Sequence, residues 1–124
     1  MSPRVWRQRI RDILDAIEEI HGFVSGVEFP EFAANTEKMK AVLADFTIIG
    51  EAAVHVPEEV QRAHPSIEWR RMRDMRNVIV HVYFAVNARI VWDTIHDDLP
   101  VLERQLRDLL AAEEATDPPH ESDA

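Results

Sequence analysis

Apolar residues along this chain recur at intervals of three, four and seven, the spacing that gathers side chains on one face of an α-helix. Trp6, Ile10, Ile13, Leu14, Ile17 and Val24 mark the first such face. Ser2-Pro3 before them has the form of a helix start, a possible N-cap followed by proline at the first helical position. The pattern predicts a helix from about Pro3 to about Phe23. Ser25-Gly26 and Phe29-Pro30 punctuate a loop, after which Asn35 or Thr36 can cap a second long helix with Met39, Val42, Leu43, Phe46, Ile49 and Ala53 on its apolar face. Gly50, Ala52 and Ala53 surround Glu51, and residues this small let another helix approach closely.

Pro57 and Pro65 bracket residues 58–64, a short helix or turn. Ser66 can cap the next helix, which carries Trp69, Met72 and Arg76. It leads into Val78-Ile79-Val80-His81-Val82-Tyr83-Phe84, which alone would pass for a buried strand. No other segment offers it a partner, and an unpaired buried strand would leave its backbone donors and acceptors unsatisfied, so helix is the expectation. From about Asn87 a last stripe runs through Ile90 or Val91, Trp92, Ile95, Leu99, Leu102, Leu106 and Leu109. Pro100 interrupts it, with Asp97 or Asp98 able to cap a fresh start, and predicts a kink or short break. Residues 113–124, acidic and proline-containing, are expected to be a disordered tail behind one domain over residues 1–112.

The 124 residues suffice for one hydrophobic core, and 46% hydrophobic with 30% charged residues is ordinary for a globular protein. Three Gly and one Tyr favour a helix bundle over a sheet fold. Fold class is therefore all-α. There is no Cys, which removes disulfides, thiolate nucleophiles and the usual structural zinc sites. No apolar run approaches the roughly 18 residues of a membrane span, and the N-terminus lacks a secretory pattern, so a cytoplasmic protein is expected. The net charge of -9 argues against nucleic-acid binding over the whole surface. Arginines at 4, 7, 9 and 11 and at 62, 70, 71, 73 and 76 nevertheless allow a local basic patch, the alternative being solvated helix faces.

Candidate chemistry centres on Arg76-Asn77-Val78-Ile79-Val80-His81-Val82-Tyr83, where polar groups of catalytic type sit inside an apolar run. Unpaired charge in a core is costly, so these residues need partners, a wet cleft or a function. On a helix Arg76 and His81 lie about 140° out of phase, whereas Arg76 and Tyr83 are nearly aligned. Such spacing suits either a helix ending near His81 or a cleft where two copies of the chain meet. His55, His64, His96 and His120 show no metal-ligand spacing, and Asp93, Asp97 and Asp98 read as helix-end residues. Trp6, Trp69 and Trp92 read as core, and Glu51 as an exposed residue or a partner of Arg76.

The segment resembles the Arg-x4-His-x-Tyr motif of HepT toxins of the HEPN superfamily. The likeness extends to Ile49-Gly50-Glu51-Ala52-Ala53, to Pro65 and Trp69 with Met75-Arg76-Asn77, to Val91-Trp92, and to Leu99-Pro100 with Leu102. These landmarks span roughly residues 5 to 110, in order. Glu68 departs from the pattern, since family members often have Pro before the tryptophan. The resemblance implies a HEPN-type antiparallel bundle of four to five helices, dimerised so that both motifs line one cleft. It further implies the toxin of a type VII-like toxin–antitoxin system, a metal-independent endoribonuclease acting on tRNA or mRNA without a cofactor. An MNT-type nucleotidyltransferase antitoxin would neutralise it by AMPylation. Carried over, Arg76 and His81 would be catalytic, Asn77 supporting and Tyr83 the modified residue.

Residue chemistry agrees. RNA is cut without a metal when a base takes the 2'-hydroxyl proton, cationic donors stabilise the phosphorane and an acid protonates the leaving oxygen. His81 can act as acid or base, and Arg76, always protonated, can hold phosphate. The other reading is a catalytically silent HEPN module that binds a nucleotidyltransferase or a nucleotide.

Overall fold

The face read on the first helix is the face it buries: Trp6, Ile10, Ile13, Leu14, Ile17 and Val24 all lie in the core along α1 (Pro3–Val24). The computed structural model describes residues 2–85 and 87–117, with side chains for 2–77 and 87–117. Its further helices are α2 (Phe29–Ala34), α3 (Thr36–Val54), α4 (Glu58–Ala63), α5 (Trp69–Ala85), α6 (Ala88–Asp93) and α7 (Leu99–Ala115). No strand occurs among the described residues. The architecture is all-α, with α1, α3, α5 and α7 as the long members and the short helices joining them.

Capping explains the starts unevenly. Ser2 heads α1 through its carbonyl, which accepts from the Val5 amide at 3.0 Å, while its hydroxyl makes no capping bond. Asn35 does cap α3, its Oδ1 accepting from the Lys38 amide at 2.9 Å, and Asn87 caps α6 by the same device at 3.2 Å. The Lys38 ammonium also donates to the Phe23 carbonyl, tying the start of α3 to the end of α1 and fixing the pair as antiparallel.

Four expectations need correction. The loop read around Phe29-Pro30 contains α2, where Pro30 occupies the first turn and loses no needed donor. Phe32 on α2 is fully buried and packs 5.3 Å from the Trp92 ring, a contact six residues of sequence are too few to announce. Ser66 does not cap α5, which begins at Trp69: the Ile67 carbonyl accepts from the Trp69 amide at 2.9 Å, and the indole donates to the His64 carbonyl at 3.0 Å. Before Pro100 the expected interruption is present, with Asp98 at the N-cap position of α7, but Asp98 makes no side-chain capping bond and the interruption is not an open break. A π-helical segment, Thr94–Asp98, links α6 to α7, with the Leu99 amide reaching back five residues to the Thr94 carbonyl. Widening the turn by one residue absorbs the mismatch that proline creates in an α-helical ladder.

Where the acidic tail starts is the fourth. α7 continues to Ala115, and Glu113 meets His64 Nε2 at 3.0 Å, Glu114 meets Arg11 at 2.6 Å and Asp117 meets Arg7 at 2.6 Å. Acids expected in a loose tail thus fasten the end of α7 to α1 and to the end of α4. The hydrogen bond from Arg7 holds the Asp117 carboxyl below its usual range and raises the Arg7 guanidinium in turn. His120, Glu121 and Asp123 lie outside the described residues.

The β-branched run is helical: α5 continues through Val78 to Ala85, as pairing arguments required. α3 packs against both α1 and α5 and so forms the middle of the bundle. Among the described residues no helix is long and apolar enough to cross a membrane.

Candidate active site

Arg76 is placed by the crossing of α3 and α5. A Cβ built on Gly50 of α3 would fall 2.2 Å from Arg76 Cγ and 3.1 Å from the Arg73 carbonyl oxygen, so the arginine stem lies directly over the glycine. Carbon atoms at rest stand about 3.5–4.0 Å apart. Gly50 therefore belongs to the site as well as to the packing.

The guanidinium is held from two sides. Arg76 Nε donates to the Arg73 carbonyl at 3.2 Å and Nη1 to Glu51 Oε1 at 3.0 Å. Glu51, an exposed residue, is thus the partner of Arg76, joining the two readings the sequence left open. The Arg76 side chain remains 39% exposed, and a guanidinium has five donors, so a phosphate can still reach it. Arg73, one turn earlier, is pinned to Gln61 Oε1 at 2.9 Å, which keeps α4 against the base of α5.

Asn77 is exposed beside Arg76 on α5. His81 and Tyr83 lie on the same helix, which does not end near His81 but runs on to Ala85. Their side chains lie outside the described residues.

The wider basic patch is largely spoken for. Besides Arg7 and Arg11, Arg9 pairs with Asp12 at 3.2 Å, Arg62 with Glu58 at 2.8 Å and Arg71 with Asp98 at 3.1 Å. Trp6 and Trp69 are core, as expected, while Trp92 is half-buried among Phe29, Phe32 and His96. Among the described residues no cluster of His, Asp or Glu is arranged to hold a metal ion.

One buried polar residue escaped notice in the sequence. Asp45 of α3 is only 3% exposed and sits beside Glu19 of α1. Burial, and then the neighbouring Glu19 carboxyl, push its own carboxyl up to about 7. The signal was present: Asp45 stands three residues after Val42 and four before Ile49, on the face that α3 buries.

These features define a helical bundle that presents an anchored arginine on one long helix, followed on that helix by a histidine and a tyrosine. The family model described as Ribonuclease HepT-like matches residues 13–109, and the chain belongs to the HepT-like ribonuclease family, within the HEPN class. Ribonuclease function is what that membership supports. It is 36% identical over 106 residues to a Thermococcus cleftensis protein named "Probable ribonuclease HepT", covering 86% of this chain and 96% of that one. A relative from Caldanaerobacter subterraneus subsp. tengcongensis, named as an RNase, is 34% identical over 86% of this chain and 96% of its own. Another so named, from Methanocaldococcus jannaschii, is 29% identical over 90% and 92%. No solved structure gives a significant match.

Proposed function

We propose that the protein is the toxin of a toxin–antitoxin pair: a metal-independent endoribonuclease that works as a homodimer and is silenced when an MNT-type nucleotidyltransferase attaches AMP to Tyr83. The observation that carries this reading is the anchoring of Arg76 over Gly50 by Glu51, on the helix that also bears His81, in a chain of ribonuclease family. Arg76 receives the scissile phosphate and stabilises the charge that grows on it. His81 moves the proton, as base toward the 2'-hydroxyl or as acid toward the leaving oxygen. Attack by the 2'-hydroxyl leaves a 2',3'-cyclic phosphate, and DNA, without that hydroxyl, is inert.

The continuity of α5 bears on the dimer. With the helix unbroken through His81, positions 76 and 81 of one chain are about 140° apart around it, and an arginine and a histidine so spaced serve one phosphate more readily when two copies face each other. Asn77, exposed next to Arg76 on α5, is the supporting residue of this reading. AMP on Tyr83 would add bulk and negative charge where RNA phosphate must enter.

The test is cleavage of a mixed tRNA and mRNA pool in EDTA by chain made without any partner, alongside light scattering for its mass. Cutting is expected from the wild type, absent in Arg76→Ala and His81→Ala, with cyclic phosphate ends. Tyr83→Phe should cut and resist neutralisation by the nucleotidyltransferase. Cleavage of DNA, or no cutting by folded unmodified dimer, refutes the reading; the second result favours a silent binding module.

A further inference from the structure

A groove of about 430 Å³ runs between α1 and α3, on the side of α3 that also presents Glu51. Asp12, Asp15 and Glu19 line it from α1, and Asp45 and Glu51 from α3. Against these five carboxylates the groove sets one guanidinium of its own, Arg9, already engaged with Asp12.

Acidic residues along a groove are unremarkable until one of them is taken from water, and Asp45 has been. It is 3% exposed, lines the groove, and its Oδ2 has no hydrogen-bond partner. Its neighbour Glu19 is another acceptor. A buried acceptor left alone is unfavourable, and more so when it is charged. Two things can satisfy it: a proton held between Asp45 and Glu19, or a cationic donor from outside the chain.

The shape of the groove selects the donor. Among the described residues no three His, Cys, Asp or Glu side chains converge as a metal ion requires, so the acids are spread along the groove. Between them lies an apolar floor of Ala16, Ile48 and Ala52, with Ile48 46% exposed. Anionic stations separated by aliphatic surface match ammonium groups separated by methylenes. We propose that this groove binds a linear polyamine of the spermidine class, one ammonium seated between Asp45 and Glu19 and the alkyl chain lying over Ile48 toward Glu51. Glu51 would then be shared between the ligand and Arg76, linking occupancy of the groove to the setting of that arginine. The binding itself does not depend on whether the Arg76 site cuts RNA.

Binding should expel the proton that Asp45 and Glu19 otherwise share, because an ammonium favours the ionised carboxylate. The charged and titratable groups facing Asp45 along the groove are Arg9, Asp12, Asp15 and Glu19 of α1, Glu51 of its own helix and His55 just after that helix.

Isothermal titration of the whole chain with spermidine near pH 7, repeated in buffers of different ionisation enthalpy, reads both affinity and proton release. Wild type should bind saturably, one to one, releasing protons. Asp45→Asn/Glu19→Gln should bind about tenfold more weakly or worse, with no proton release. Glu28→Gln/Glu31→Gln removes at least as much negative charge, from the exposed α2 end, and should change the affinity less than about twofold. Circular dichroism confirms folding of both. Equal weakening in the two double variants, binding without proton release, or no saturable binding by wild type overturns the proposal.

Discussion

Gly50→Ala isolates the contact on which the site rests. In an ordinary helix interior the change stabilises by about 1 kcal/mol, since alanine loses less backbone freedom. Here the new methyl would lie 2.2 Å from Arg76 Cγ and 3.1 Å from both Arg76 Cδ and the Arg73 carbonyl oxygen. The stem atom can swing aside only by giving up the guanidinium's bonds to Glu51 and Arg73, and the carbonyl can move only with α5. Overpacking of this kind costs about 1–3 kcal/mol. Set against the propensity gain, the net loss is about 0–2 kcal/mol. The effect on the site is expected to be larger, because a group displaced by about 1 Å can lose about a hundredfold in rate. Urea unfolding and RNA cleavage measured on the same preparation check both halves. A Gly50→Ala protein about 1 kcal/mol more stable than wild type, with unchanged cleavage, would refute the claim that the arginine stem needs the space.

Other outcomes follow from the same geometry. Glu51→Ala breaks a half-exposed pair, so stability should change by less than about 1 kcal/mol while kcat falls severalfold; an unchanged kcat would show that Glu51 does not position Arg76. Phe32→Ala empties a fully buried site between α2 and Trp92 and should cost about 3–5 kcal/mol in chemical denaturation, a loss under 1 kcal/mol contradicting the packing. Asp45 titrates near 7 folded against 3.8 unfolded, so its native form holds a proton the unfolded chain has released, and it disfavours folding progressively as pH rises from about 4 to about 7. Asp45→Asn should therefore gain stability over wild type through that window and lose the advantage below it. A gap independent of pH would show that Asp45 is not titrating there.

The sequence by itself settled the helical character of this chain, because period and burial are the same fact seen twice. The stripes on α1, α3 and α7 fell, apart from the half-buried Met39, on the residues that the bundle buries, and the β-branched run on α5 was rightly kept helical by asking where its backbone bonds would go. The family, too, was legible from motif order, and the match over residues 13–109 bears it out. What sequence could not decide was anything set by distance between helices. The small residues near 50 announced a close approach but not that Arg76 would fill it. Glu51 could be read as exposed or as paired, and only the crossing of α3 with α5 made it both. Asp45 stood in plain view on an apolar face, yet its neighbour Glu19 lies on another helix, and burial of one carboxyl beside another arises only when α1 and α3 pack. The tail misled for the same reason: composition reports what a segment would do alone, whereas the arginines that hold Glu114 and Asp117 stand at the opposite end of the chain.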